Sequence, residues 1–167
     1  MTADELKTLL HLEPHPREGG WFVQTWKSEE EIPLTALSSR YSAPRAAGTA
    51  IYYLLEPDTF SEMHRLASDE VFHFYLGGPV EMLQLLPDGE SRRVTLGSDI
   101  ESGMVPQLIV PKMVWQGSHL LPGSSFALLG CTVSPGFDYA DYEAGAYQPL
   151  SDGWPEQREV IGRLTRY

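Results

Sequence analysis

The sequence predicts an all-β domain, an antiparallel sandwich or barrel with a short helix at each end. Two observations carry this. From residue 48 onward, short apolar runs alternate with turn signals at nearly even spacing, the pattern of many short strands in tight succession. The separators have defined turn chemistry, as in Pro87-Asp88-Gly89, where Pro presets the first turn residue and Gly tolerates positive φ.

The elements follow in chain order. Thr2-Ala3-Asp4-Glu5 fits a capping box. Leu6, Leu9 and Leu10 then share a helical face, so a helix is expected over 3–11, ended by Pro14 and Pro16. Trp21 to Trp26 is aromatic and β-branched and reads as a strand. Residues 29–47 are polar and Pro-containing, and are expected to form a loop with little regular structure. Strands are expected over 49–55, 60–66, 70–76, 80–86, 91–96, 105–110, 114–120 and 126–133. Pro155 suits the first turn of a helix, and Val160, Ile161 and Leu164 give it a partial apolar stripe, so a second helix is expected over about 155–164.

A chain of 167 residues suits one domain over 1–167. The formal net charge of −11 and the scattered basic residues argue against nucleic acid as a partner. No apolar run reaches the ~18 residues of a transmembrane helix, so no membrane is expected. MTADELKTLL lacks the features of a signal peptide. A single cysteine, Cys131, cannot close an internal disulfide; it sits in an apolar strand and reads as buried and inert. A cytoplasmic location is the expectation from that cysteine usage.

The stretch SEMHRLASDEVFHFYLGG, residues 61–78, holds the chemistry. Read as two strands joined at 67–69, it places Phe60, Glu62, His64 and Leu66 on one face of the first strand. Glu70, Phe72, Phe74 and Leu76 share a face of the second. If His64 and Glu70 point inward, strict alternation sends His73 outward, and only a bulge beside Glu70 would reverse it. A lone His is most often a hydrogen-bonded structural residue, and a Glu beside Asp69 reads equally well as an exposed turn carboxylate. Pattern alone leaves the structural and functional readings level. His11, His15 and His119 have no evident partner, and His15-Pro16-Arg17-Glu18-Gly19-Gly20 reads as a turn packed near the mouth of a pocket.

HRLASDEVFHFYLGG resembles the first cupin motif, and PKMVWQGSHLL, residues 111–121, resembles the second. The segments HPREGGWFVQTW, GTAIYYLLEPDTFSEMHRLASDE, VPKMVWQGS and CTVSPGFDYADYE, in that order, resemble the cupin family known as domain of unknown function 985, or cupin-5. The resemblance implies a double-stranded β-helix, or cupin jelly roll, assembled as a homodimer. A metal-binding cupin would supply three His and one Glu. Here Leu66 takes the place of the second His, Gln116 that of the motif-two His, and Met113 that of the motif-two Gly. Only His64 and Glu70 remain as good metal donors, where catalytic zinc sites typically use three protein ligands. The resemblance therefore implies no firm cofactor, and at most a weakly held divalent metal.

What remains is a small-molecule pocket with His64 and Glu70 as catalytic residues. Gln116, His73, Tyr53, Phe72 and Phe74 are expected ligand contacts, and Trp115 is a further candidate for the lining. By analogy with metal-free cupins, His64 would act as a general base on a small polar molecule, in a sugar or sugar-nucleotide isomerase or epimerase. Two alternatives stay open: a metal-dependent cupin dioxygenase or isomerase, and a non-enzymatic binding or structural cupin.

Overall fold

The computed structural model describes residues 1–166. Its strands are β1 (Glu13–Pro14), β2 (Trp21–Lys27), β3 (Glu31–Ile32), β4 (Arg45–Ala46), β5 (Thr49–Leu55), β6 (Phe60–Arg65), β7 (Asp69–Gly77), β8 (Val80–Leu85), β9 (Ser91–Leu96), β10 (Gln107–Val110), β11 (Trp115–Leu120), β12 (Ala127–Ser134) and β13 (Glu143–Ala144). Three helices accompany them: α1 (Ala3–Leu10), α2 (Tyr147–Gly153) and α3 (Arg158–Arg163). The expected strands from residue 49 onward are all present, shifted by at most two or so residues at their ends.

Two sheets face each other. One runs in the order β1-β2-β5-β12-β7-β10, the other in the order β13-β6-β11-β8-β9. Sequence-distant strands lie side by side with antiparallel ladders, as in β12 between β5 and β7 and β11 between β6 and β8. This is the cupin jelly roll, a double-sheet solution for chains of short strands. Between the sheets lies an apolar core including Tyr53, Leu55, Phe72, Val80, Met82 and Leu129, each fully buried. Each such large apolar side chain contributes about 1.5–3 kcal/mol on burial, so this core holds the sheets together.

Both outer faces are partly covered by the ends of the chain. The capping box forms, with Glu5 N–H donating to Thr2 Oγ1 and Thr2 N–H donating to Glu5 Oε2. It starts α1, whose Leu6 packs with Leu12, Leu54 and Leu128 on the larger sheet. On the smaller sheet, Leu150, Val160, Ile161 and Leu164 pack against Met63, Leu83 and Leu85.

The tail departs from expectation. Residues 155–157 form a 3₁₀ turn leading into α3, and α2 precedes it. In α2 only Leu150 and Ser151 are buried, so it offers too little apolar periodicity to be read from sequence. Residues 29–47 are also more structured than a plain loop. They hold β3, β4 and a 3₁₀ turn at Leu34–Ala36. Arg45 here grips Asp141 with Nε–Oδ2 at 2.7 Å and Nη2–Oδ1 at 2.6 Å, both side chains buried. That bidentate pair pins the 137–142 segment over one end of the barrel. Met113, at the motif-two Gly position, adopts φ 65, the left-handed conformation a Gly would take at less cost.

Candidate functional site

A cavity of about 240 Å³ opens at the end of the barrel capped by the 137–142 segment. Its apolar wall is Phe22, Ile51, Leu66, Val133 and Phe137. Its polar residues include His15, Glu18, His64, Glu70 and Cys131, with Tyr139 among the lining.

His64 sits on β6 and Gln116 directly opposite it on β11. Each is 1% exposed. His64 Nδ1 lies 2.7 Å from the Glu62 carbonyl oxygen, which can only accept, so Nδ1 carries the proton. Nε2 is then left with a lone pair, which accepts from Gln116 Nε2 at 2.8 Å. The same amide nitrogen donates to Glu70 Oε2 at 2.9 Å, reaching across to β7 in the other sheet. Turning the amide over would set its oxygen against the His64 lone pair; in the orientation present, Gln116 Oε1 is buried without a hydrogen-bond partner among the described residues. His64, Glu70 and Gln116 therefore converge as the sequence suggests.

Glu70 is buried, and burial pushes its carboxyl well above the usual range, with the nearby Glu18 charge adding to the rise. It is held toward the protonated form, an acid with a proton to give. Cys131 faces it, and burial likewise pushes that thiol well above its ordinary value. It is buried, as expected from its strand.

Glu18 was not singled out from the sequence, yet it stands at the centre of the site. Its Oε1 accepts from Ser61 Oγ at 2.6 Å. Its Oε2 lies 3.8 Å from His15 Nε2 and 3.9 Å from His64 Nε2. The turn that holds it is closed by His15 Nδ1, which accepts from the Glu18 N–H at 2.9 Å. Gly19 has φ 100, and a Cβ there would sit 2.3 Å from the Phe60 carbonyl oxygen. Only Gly allows this loop to lie so close to β6. Burial lowers the His15 pKa, against the opposing pull of Glu18. The pairing of β6 with β11 has an irregularity between Gln116 and Ser118. It sets Ser61 and His64 on the same side toward Glu18, whereas strict alternation grouped His64 with Glu62. Glu62 turns instead to the Tyr142 hydroxyl, which donates to it at 2.7 Å, and to Arg166 Nε at 3.4 Å. The Tyr142 ring stacks on His64 at 5.0 Å between centroids.

The other expected contacts lie elsewhere. His73 faces outward. The bulge in its strand falls opposite Leu128 and Leu129, beyond His73 and away from Glu70. His73 Nε2 meets Thr132 Oγ1 at 3.2 Å, and its ring stacks on Tyr75. Phe72 and Phe74 point inward but pack in the core between the sheets and do not line the cavity. Tyr53 lies beneath the cavity, where its hydroxyl donates to the Gly19 carbonyl at 2.8 Å and props up the Glu18 loop. Trp115 packs on the far side with the C-terminal helices, under the Arg65 guanidinium.

The family model described as "Cupin superfamily (DUF985)" matches residues 4–145. An uncharacterized protein of Saccharomyces cerevisiae is 34% identical over 134 residues, covering 75% of this chain and 67% of that protein. A hypothetical protein from Leishmania major superposes with a TM-score of 0.90 at 30% identity, over 100% of both chains. The fold alone is shared with Bacillus subtilis oxalate decarboxylase, a protein described with Mn(II) centers, at a TM-score of 0.52 and 14% identity over 92% of this chain and 37% of that one.

The residues present do not fit such a metal. Leu66 lines the cavity where a second His would ligate. The His64 Nε2 lone pair is spent on Gln116, which presents its nitrogen and not its oxygen to the pair. Among the described residues, no three His, Cys, Asp or Glu side chains converge so as to hold a metal ion. Nor is any helix among them long and apolar enough to cross a membrane.

Proposed function

Because the chain belongs to the cupin superfamily, in the family of domain of unknown function 985, we propose that it is a small-molecule-binding cupin that works without a resident metal and isomerises or epimerises a small polar molecule such as a sugar. The observation that carries this reading is the Gln116 amide joined at once to His64 and Glu70. It holds a lone pair and a protonated carboxyl on one bridge, a matched proton acceptor and donor. A ligand that displaces the amide gains access to both groups. His64 then accepts a proton from the reacting carbon and Glu70 delivers one.

Size narrows the substrate. About 240 Å³ falls below the ~300–1,000 Å³ typical of drug-sized ligands. A monosaccharide-sized molecule suits it, and the nucleotide of a sugar nucleotide would have to lie outside. An acidic lining of Glu18 and Glu70, with no lining Lys or Arg among the described residues to pair with an anion, makes the cavity a poor host for an oxalate-like dianion. The test is mass spectrometry of small molecules released from natively purified, chelator-treated protein. A released molecule of this size that the His64→Ala variant does not carry supports the reading.

We also propose that the chain forms a homodimer, with the buried Cys131 thiol suited to the reducing cytoplasm. The outer face of the larger sheet beyond α1 carries Tyr52, Val71, His73, Tyr75 and Ile109. Tyr75 lies across Gly130, where a Cβ would clash at 2.2 Å, and meets Tyr52 edge-on at 5.9 Å. Tyr75 and Ile109 are exposed. In a chain of net charge −11, this uncharged aromatic patch is where two copies meet with least repulsion. Light scattering should show a dimer that Tyr75→Glu/Ile109→Glu converts to monomer, and a monomeric wild type would contradict it.

A further inference from the structure

Glu18 is 8% exposed, and among the described residues no Lys or Arg pairs with its carboxyl group. Oε1 has its Ser61 hydrogen bond. Oε2, turned to the cavity, accepts no hydrogen bond from any described residue, and its nearest basic nitrogens are the two imidazoles at 3.8 Å and 3.9 Å. Burial keeps His15 from readily taking a proton, and His64 Nε2 is spent on Gln116. Glu62, the next carboxylate along, already has Arg166 and Tyr142. A buried carboxylate without a counter-charge is costly, and such groups persist where something else supplies the charge.

The lining of the cavity suits a cation. Phe22, Phe137, Tyr139 and His15 line the cavity, with His15 on Phe22 at 4.6 Å and Phe137 edge-on to Tyr139 at 5.0 Å. Aromatic faces of this kind attract ammonium groups. Arg17 already lies 5.2 Å over the Tyr139 ring, a protein cation on one of these aromatic residues.

We propose that the cavity takes a small ammonium-bearing molecule, an amino sugar or amino alcohol of monosaccharide size or smaller, with its ammonium between Glu18 Oε2 and the neighbouring aromatic faces. This rests on the small-molecule reading above and names its substrate class. Glu18 anchors the ligand, which leaves His64 and Glu70 free for the proton transfer.

Saturation-transfer NMR on the full chain tests it, using ethanolamine, choline and glucosamine against ethylene glycol and glucose, and against glycolate, glucuronate and oxalate. The ammonium probes are expected to bind, and Glu18→Gln to weaken them by about tenfold or more. Tyr139→Leu, at an exposed position, is expected to weaken them about two- to fivefold and to weaken the uncharged probes less. If Glu18→Gln does not fold, the Tyr139→Leu comparison decides. An uncharged or anionic probe that binds as tightly as its ammonium counterpart, or ammonium binding indifferent to these variants, overturns the cation assignment and leaves the small-molecule reading standing. Failure of every probe to bind, whatever its charge, overturns both.

Discussion

The double variant Leu66→His/Gln116→His acquires a divalent metal, about one ion per chain, where the wild-type protein holds far less after dialysis against chelator. The reason is local. Gln116 pairs across the ladder with His64, and Leu66 lines the same cavity two residues further on. Imidazoles at both positions join His64 and Glu70 to make three nitrogen donors and a carboxylate, a set that suits zinc, nickel or manganese. The change also removes the amide that now uses up the His64 lone pair. Elemental analysis reads the outcome. A double variant that stays metal-free would mean these two positions do not converge as the geometry has them. A wild type that keeps one ion per chain through chelation would contradict the metal-free account.

Glu70→Gln is the second large effect, and it depends on pH. The Glu70 carboxyl is raised in the folded protein by burial and by Glu18. A raised folded value means that the native state binds this proton more tightly than the unfolded chain does. Its contribution to stability is therefore fully present below the ordinary carboxyl range near 4.5. It is lost progressively as pH rises from there through the folded value. Each unit of displacement is worth about 1.4 kcal/mol. The glutamine variant mimics the protonated acid and has no proton to lose. Thermal melts of the two proteins should thus nearly coincide near pH 4, with the variant gaining over wild type as pH rises to 8. Parallel curves across that range would contradict a raised Glu70.

Much of the fold was legible because each strand carries its own signal. Period-two runs and turn formers need no knowledge of distant contacts, and from residue 49 onward the strands lie where those signals put them. The convergence of His64, Glu70 and Gln116 was legible through the motif resemblance. Period two names a face but not a depth along the barrel. For that reason Phe72 and Phe74 were expected at the ligand and lie in the core, and Tyr53 was expected there and supports the loop beneath it.

Glu18 was missed for a different reason. It comes from a turn, far in sequence from the cupin motifs, and turn carboxylates are ordinarily solvated. The signal that could have found it is Gly19-Gly20 following directly on Glu18. Two residues without side chains let the loop press onto the barrel and carry its carboxylate inside. The irregularity in β6 that turns Ser61 toward Glu18 leaves no mark in composition, since it arises from pairing with β11. Arg45, in a segment that reads as plain loop, takes its role from Asp141, distant in sequence.

The most direct test of a metal-free, small-molecule cavity is mass spectrometry of the molecules released on denaturing natively purified, chelator-treated protein, set beside the same analysis of His64→Ala. One molecule of monosaccharide size or smaller is expected, retained through chelation by the wild type and absent from the variant. Identical release from both proteins, or a ligand that the wild type loses when its metal is stripped, would contradict it.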